Sequence, residues 1–248
     1  MKLKLGSKPK FFLGTSGWSY AHWKGKFYPL KLNSSKWLEF YARHFNTAEV
    51  NMTFYRTPRL IILKNWYKKT PRDFTFTLKA SRFITHIKKL KGVKKEVKNF
   101  YKLADNLKEK LACILWQLPP SLKFNPEKLE GFLKILDNTY KNVIEFRNAS
   151  WWQEQTYKLM KKYKAIFCVV SSPKLPKDII VSSKIAYFRF HGEASWYGSN
   201  YSKQELKGWA SKIKKATKRC SQAYIYFNND YNAYAIKNCQ ELKNLLRV

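Results

Sequence analysis

The chain has 248 residues, and 49 Lys plus Arg against 16 Asp plus Glu leave a formal charge of +33. That length can bury a sizeable core as one large domain or two small ones, and 45% hydrophobic residues with 17% aromatics exclude a disordered chain. No apolar run approaches the ~18 residues of a membrane span, and the opening MKLKLGSKPK lacks the apolar stretch of a signal peptide; a soluble, cytoplasmic protein with no membrane partner is expected.

In chain order, short β-rich runs alternate with stretches at helical spacing. The first run covers 11–17, the second 47–51, and the third, 74–79, ends on Lys79. A stripe at Val97, Phe100, Tyr101 and Ala104 follows. The fourth run, 112–117, precedes Pro119 and Pro120. Asn125 and Pro126 then read as N-cap and first position of a helix faced by Leu129, Phe132, Leu133 and Leu136. The fifth run, 143–147, leads to a stripe at Trp152, Thr156, Leu159, Met160 and Tyr163. After the sixth, 165–170, residues 171–184 hold two prolines and no stripe, so an irregular or missing sixth helix is expected. The seventh is 186–191. Ser202 and Glu205 then fit a capping box ahead of Leu206, Trp209, Ala210 and Ile213. The eighth is 223–228.

Strict β/α alternation implies a parallel sheet, and eight units in about 250 residues fit a closed barrel. The first turn, G-T-S-G-W, lacks the G-x-G-x-x-G spacing of an open nucleotide-binding sheet. With no internal repeat or linker, the expected fold is α/β, a (β/α)₈ TIM barrel, as one domain over residues 1–248.

Cys113, Cys168, Cys220 and Cys239 form no C-x-x-C pair, which excludes a zinc ribbon and leaves reduced, buried thiols. A charge of +33 points to a polyanionic partner, DNA or RNA. A thermophile's lysine-rich surface would bring matching acids, and here bases outnumber acids about threefold. Two stretches are dense: Lys88 to Lys98 and Lys212 to Arg219. Either fits a solvated helix face as well as a phosphate track.

Barrel chemistry sits at the C-terminal strand ends, and polar residues collect there. Ser16 closes the first strand. Glu49 and Asn51 share a face, as do Glu145 and Arg147, and as do Tyr187, Arg189 and His191. Lys79, Gln117, Asn228 and Asn229 end three others. Two roles compete for this set. One is an ion-pair network with Arg147 and Arg189 neutralising Glu49 and Glu145. The other is a reactive mouth. There Glu145 and Glu49 act as general base or, with His191, hold one divalent metal ion, and His191 can instead move a proton. Lys79, Arg147 and Arg189 bind phosphate. Lys79 also suits a Schiff base, although no sequence neighbour favours it. Aromatics flank the mouth in sequence: Trp18, Tyr20 and Trp23, then Trp151 and Trp152, then Trp196, Tyr197 and Tyr201. Among cations, they suit base stacking on single-stranded or flipped nucleotides.

G-T-S-G-W-S-Y-x-x-W, F-N-T-A-E-V-N-M-T-F-Y-R-T-P and F-T-F-T-L-K-A-S-R-F-I-T-H together resemble the YecE-like family, domain of unknown function 72. So do Q-L-P-P, E-F-R-N-A-S-W, Y-F-R-F-H-G and Y-F-N-N-D, in order from about residue 11 to 240. The resemblance implies a TIM barrel. Its motif positions are Glu49, Asn51, Lys79, Arg82, His86, Gln117, Glu145, Arg147, Trp151, Arg189, His191, Asn228 and Asn229. It implies no activity. The family's barrel is similar to those of endonuclease IV-type and sugar-isomerase enzymes, which makes DNA processing an analogy of fold. The chain departs from endonuclease IV in lacking ligands for a trinuclear zinc cluster.

The first functional expectation is a nucleic-acid-acting hydrolase, a metal-assisted phosphodiesterase. Its catalytic residues are Glu145, Glu49 and His191. Substrate contacts come from Trp18, Asn51, Lys79, Arg82, Gln117, Arg147, Trp151, Arg189, Asn228 and Asn229. The alternatives are a non-catalytic DNA- or RNA-binding protein and a sugar or phosphosugar enzyme. A monomer is compatible with all three.

Overall fold

The computed structural model describes residues 8–248; most of the basic opening, residues 1–7, lies outside the described residues. Eight strands form: β1 (Lys10–Thr15), β2 (Thr47–Val50), β3 (Thr75–Lys79), β4 (Leu111–Gln117), β5 (Asn142–Glu145), β6 (Ile166–Ser171), β7 (Ile185–Phe190) and β8 (Gln222–Phe227). From β2 to β8 each strand pairs in parallel with the next, and β8 returns to β1. This is the expected (β/α)₈ barrel, and each strand lies within a residue or two of its expected place. The largest differences, two residues, are at the ends of β1 and β5. Arg147 and His191 stand just past the last ladder residue but keep the inward face of Glu145 and Arg189.

The helices are α1 (Trp37–Tyr41), α2 (Met52–Tyr55), α3 (Leu60–Lys68), α4 (Lys94–Ala104), α5 (Pro126–Ile135), α6 (Glu154–Lys162), α7 (Lys203–Ala216) and α8 (Tyr234–Leu246). The Asn125 side chain caps α5 by accepting from Lys128 N at 2.7 Å, with Pro126 in the first turn. Ser202 and Glu205 close the capping box of α7. No helix joins β6 to β7. Pro173 and Pro176 interrupt that stretch, and Ser182 ties it down by accepting from Phe167 N and donating to Ala165 O. Trp152 lies before α6 rather than on its face.

The seam between β1 and β2 closes by side chains as much as by backbone. Ser16 and Glu49 form a single parallel bridge. Below it, the Asn46 amide accepts from Leu13 N and donates to Phe11 O. The Tyr41 hydroxyl accepts from Thr15 N and donates to Thr47 O. Gly14 makes this approach possible, because a Cβ there would stand 2.0 Å from Thr47 O.

Two cores result. The larger packs the outer sheet face against the helices. The smaller fills the barrel with Phe12, Leu115, Val143, Val170, Tyr187 and Tyr226, among others. Apolar layers thus plug the lower barrel, and polar residues occupy the top. No helix among the described residues is long and apolar enough to cross a membrane.

Candidate functional site at the barrel mouth

The strand period places Glu49, Glu145 and Arg189 in one inward layer, all with no solvent exposure. Arg189 bridges the carboxylates, donating to Glu145 Oε2 and Glu49 Oε1 at 2.5 Å each. Glu49 also accepts from Ser16 Oγ at 2.7 Å and Tyr187 Oη at 2.6 Å. Arg147 Nε donates to Glu145 Oε1, and its guanidinium lies 4.6 Å from the Trp196 ring. His191 completes the layer, with Nε2 3.1 Å from Glu145 Oε1 and Nδ1 3.2 Å from Asn228 Nδ2. Burial raises the Glu145 carboxyl, but Arg147, Arg189 and His191 outweigh it and hold its pKa well below the ordinary range. Burial, then the two guanidiniums, push His191 well below its ordinary value, so the imidazole is neutral. Two carboxylates against two guanidiniums make this floor electrically balanced.

Above the floor opens a cleft of about 650 Å³. Gly17, Trp18, Ser19 and Tyr20 come from the β1 loop, Val50 and Asn51 from the end of β2, Met52 and Tyr55 from α2, and Ile62 and Trp66 from α3. Lys79, Tyr197, Asn228 and Asp230 complete its lining. Trp18 and Trp66 meet edge to face, 5.4 Å between centroids. Lys79 Nζ sits 4.0 Å from the centre of the Phe54 ring. The His86 ring packs edge-on against the same ring at 4.8 Å. Burial and the Arg189 charge lower the Lys79 pKa to about 7. Burial, with Lys79 and Arg147 beyond it, lowers His86 to about 4. Burial raises the Asp230 carboxyl above its ordinary value.

The chain matches the family described as "Protein of unknown function DUF72" over residues 12–248. The chain belongs to the DUF72 family. Among curated proteins, the UPF0759 protein YunF of Bacillus subtilis is 26% identical over 96% of this chain and 95% of its own. The UPF0759 protein YecE of Escherichia coli is 29% identical over 58% of this chain and 53% of its own. A DUF72 crystal structure from Thermotoga maritima superposes with TM-score 0.88 at 33% identity, covering 96% of this chain and 100% of that one. One from Enterococcus faecalis gives 0.84 at 21% identity, covering 96% of each.

In this DUF72 barrel the expected site residues divide by depth. Trp18, Asn51, Lys79 and Asn228 line the cleft. Glu49, Glu145, Arg147, Arg189 and His191 form the floor. Arg82 is exposed on the rim. Gln117, nearly buried at the end of β4, donates to Leu118 O. Asn229 is fully buried and donates to Ser199 O and Asn238 Oδ1, so it braces a loop. Trp151 is fully buried, stacked on Phe146, with Nε1 donating to Leu122 O. Sequence reasoning misses Trp66 and Tyr55. Trp66 falls at helical spacing and reads as ordinary core.

The floor does not fit a metal ion. Every oxygen of Glu49 and Glu145 already accepts from a guanidinium or hydroxyl, and a cation there would face two buried arginines. Among the described residues no three His, Cys, Asp or Glu side chains group as a metal site. Arg189 and Arg147 are likewise committed to the carboxylates, which leaves Lys79 and the rim cations for anions.

Proposed function

We propose that the mouth of the barrel receives one nucleotide of a nucleic-acid strand, single-stranded or turned out of a duplex, and acts on it. The placement of exposed apolar side chains carries this reading. Among the described residues, Leu30, Tyr55, Leu60, Ile61, Phe83, Ile87, Tyr197 and Tyr231 are the large exposed hydrophobics apart from Val248. All eight lie between the end of a strand and the first turn of the helix after it, which is the mouth side of a parallel barrel. Gathered on one side of the fold beside an open cleft, they suit a binding surface.

Cations share the rim. Arg56 and Arg59 follow β2, and Arg82, Lys88, Lys89 and Lys91 follow β3, all exposed. Of the two dense basic stretches, the first therefore begins at the mouth. The second lies at the far end of α7, on the opposite face. Rings among cations suit strand binding by stacking and phosphate contact. A cleft of about 650 Å³ falls in the ordinary range for a small bound group. Glu49 and Glu145 hold Arg189 and Arg147 in this reading rather than activating water.

Fluorescence anisotropy with labelled single-stranded and duplex oligonucleotides at 50 and 200 mM salt tests it. Single strands are expected to bind, with log K falling by ~0.7 per phosphate contact as log salt rises. Tyr55→Ala and Arg82→Ala each weaken binding about tenfold, while Lys215→Ala and Lys218→Ala on the opposite face do not. Equal losses from both faces, or no binding at 50 mM salt, overturn the proposal.

A further inference from the structure

We propose that Lys79 is an imine-forming amine and that the mouth takes the aldehyde of a phosphorylated sugar. The inference deepens, and rests on, the reading of the mouth as a site for one sugar-phosphate unit of a strand. Lys79 ends β3 and is 9% exposed, yet it lines the open cleft. Among the described residues its Nζ makes no hydrogen bond or ion pair and lies over the face of Phe54, with Glu145 and Glu49 acting on it only from beyond contact. A buried cation without a partner is costly, and the carboxylates that could offset it are taken by Arg147 and Arg189. The chain thus keeps an unmatched lysine beside buried guanidiniums, the environment that frees an amine for attack on a carbonyl. With its pKa lowered to about 7, about half of Lys79 is free amine at neutral pH.

The cleft supplies what a sugar aldehyde needs. Asn51 and Asn228 present amides for hydroxyls, and the Asn51 Oδ1 has no partner among the described residues. Arg82 and its rim neighbours offer charge for a phosphate. Asp230, in the cleft wall, can accept and return protons.

The step balances as follows. The neutral Nζ adds to the aldehyde carbon, a C–N bond forms, and the carbonyl π pair moves to oxygen, which takes a proton. The carbinolamine then loses its C–O bond as water, leaving a protonated imine. The imine draws electrons from the adjacent carbon and acidifies its C–H. When the aldehyde belongs to an abasic nucleotide in a strand, loss of that proton to Asp230 lets the C–H pair expel the 3′ phosphate. The C–O bond to phosphate breaks, no oxidant is needed, and water later hydrolyses the imine. A free aldose phosphate offers the same aldehyde outside a strand.

Cyanoborohydride trapping separates these sources. The probes are a single-stranded oligonucleotide with one abasic site and free 2-deoxyribose 5-phosphate, each with wild type, Lys79→Met and Lys79→Arg. Peptide mass mapping locates the adduct. Wild type is expected to trap at Lys79 at least about tenfold faster than either variant traps anywhere. The rate should rise from pH 6 to 8 with a midpoint near 7, while surface lysines continue to gain above pH 9. Binding of the same oligonucleotide with a tetrahydrofuran site, which has no aldehyde, reads strand recognition separately. An adduct with the free sugar phosphate alone, without tetrahydrofuran binding, keeps the imine and removes the strand. No adduct at Lys79 with either probe, or an undiminished adduct in Lys79→Met, overturns the proposal.

Discussion

Arg189 and Lys79 are both cations buried in the mouth, and only Arg189 is matched. Arg189 lies between two carboxylates, so removing any one of the three would leave an unpaired buried charge, at a cost of about 3–5 kcal/mol. Loss of activity in Glu145→Gln would therefore report folding as much as chemistry. Lys79 behaves in the opposite sense. Its folded pKa is about 7 against an ordinary 10.5. Between those values the unfolded chain holds a proton that the native state has lost, so stability rises with pH. Below pH 7 both states are protonated and the penalty is constant. Lys79→Met is expected to stabilise the protein by about 2–4 kcal/mol at pH 7, several degrees in Tm, with the gain shrinking towards pH 10. Thermal melts of both proteins from pH 6 to 10 check this; parallel curves without an offset would contradict it. Which lysine behaves so was not legible in the sequence. Lys79 ends a strand candidate, but its lack of a partner depends on the Glu49 and Glu145 carboxylates being spent on arginines from two other strand ends.

The seam between β1 and β2 is the element on which the site leans. It carries Ser16 and Glu49, and Gly14 lets the two backbones approach. Gly14→Ala would place a methyl 2.0 Å from the Thr47 carbonyl oxygen, and backbone cannot yield as a side-chain tip can. The strands must part, at a cost of about 1–3 kcal/mol. Urea denaturation is expected to show that loss, and hydrogen exchange should quicken at residues 11–16. Unchanged exchange there would mean that the seam is not what Gly14 protects. Alternation and capping at element scale were readable in advance, because periods of two and 3.6 and caps such as Asn125 and Ser202 are local. The missing sixth helix was legible for the same reason, since Pro173 and Pro176 act on their own backbone.

For the whole molecule, +33 on 248 residues means self-repulsion over much of the surface. Screening should relieve it, with a Debye length near 10 Å at 0.1 M salt. Tm is expected to rise by several degrees between 20 and 300 mM sodium chloride while strand affinity falls. A flat Tm would show that the surface lysines are spaced widely enough not to repel. The two basic stretches look alike in sequence. Only the direction of α4 and α7 across the barrel puts the start of one at the mouth and the other on the opposite face.

The order of elements, the barrel, the absent helix and the inward faces bearing Glu49, Glu145, Arg147, Arg189 and His191 are all legible along the chain. Each follows from local periodicity, and barrel closure carries a period-two face inward without further information. Tertiary structure decided depth and pairing. It set the arginines against the carboxylates as a neutral floor, sank Trp151 and Asn229 into structural roles, brought Trp66 and Tyr55 to the cleft and left Lys79 unmatched. These outcomes depend on the register of eight strands around a closed ring, where contacts join residues as far apart as Glu49 and Arg189, and no local pattern records such distances.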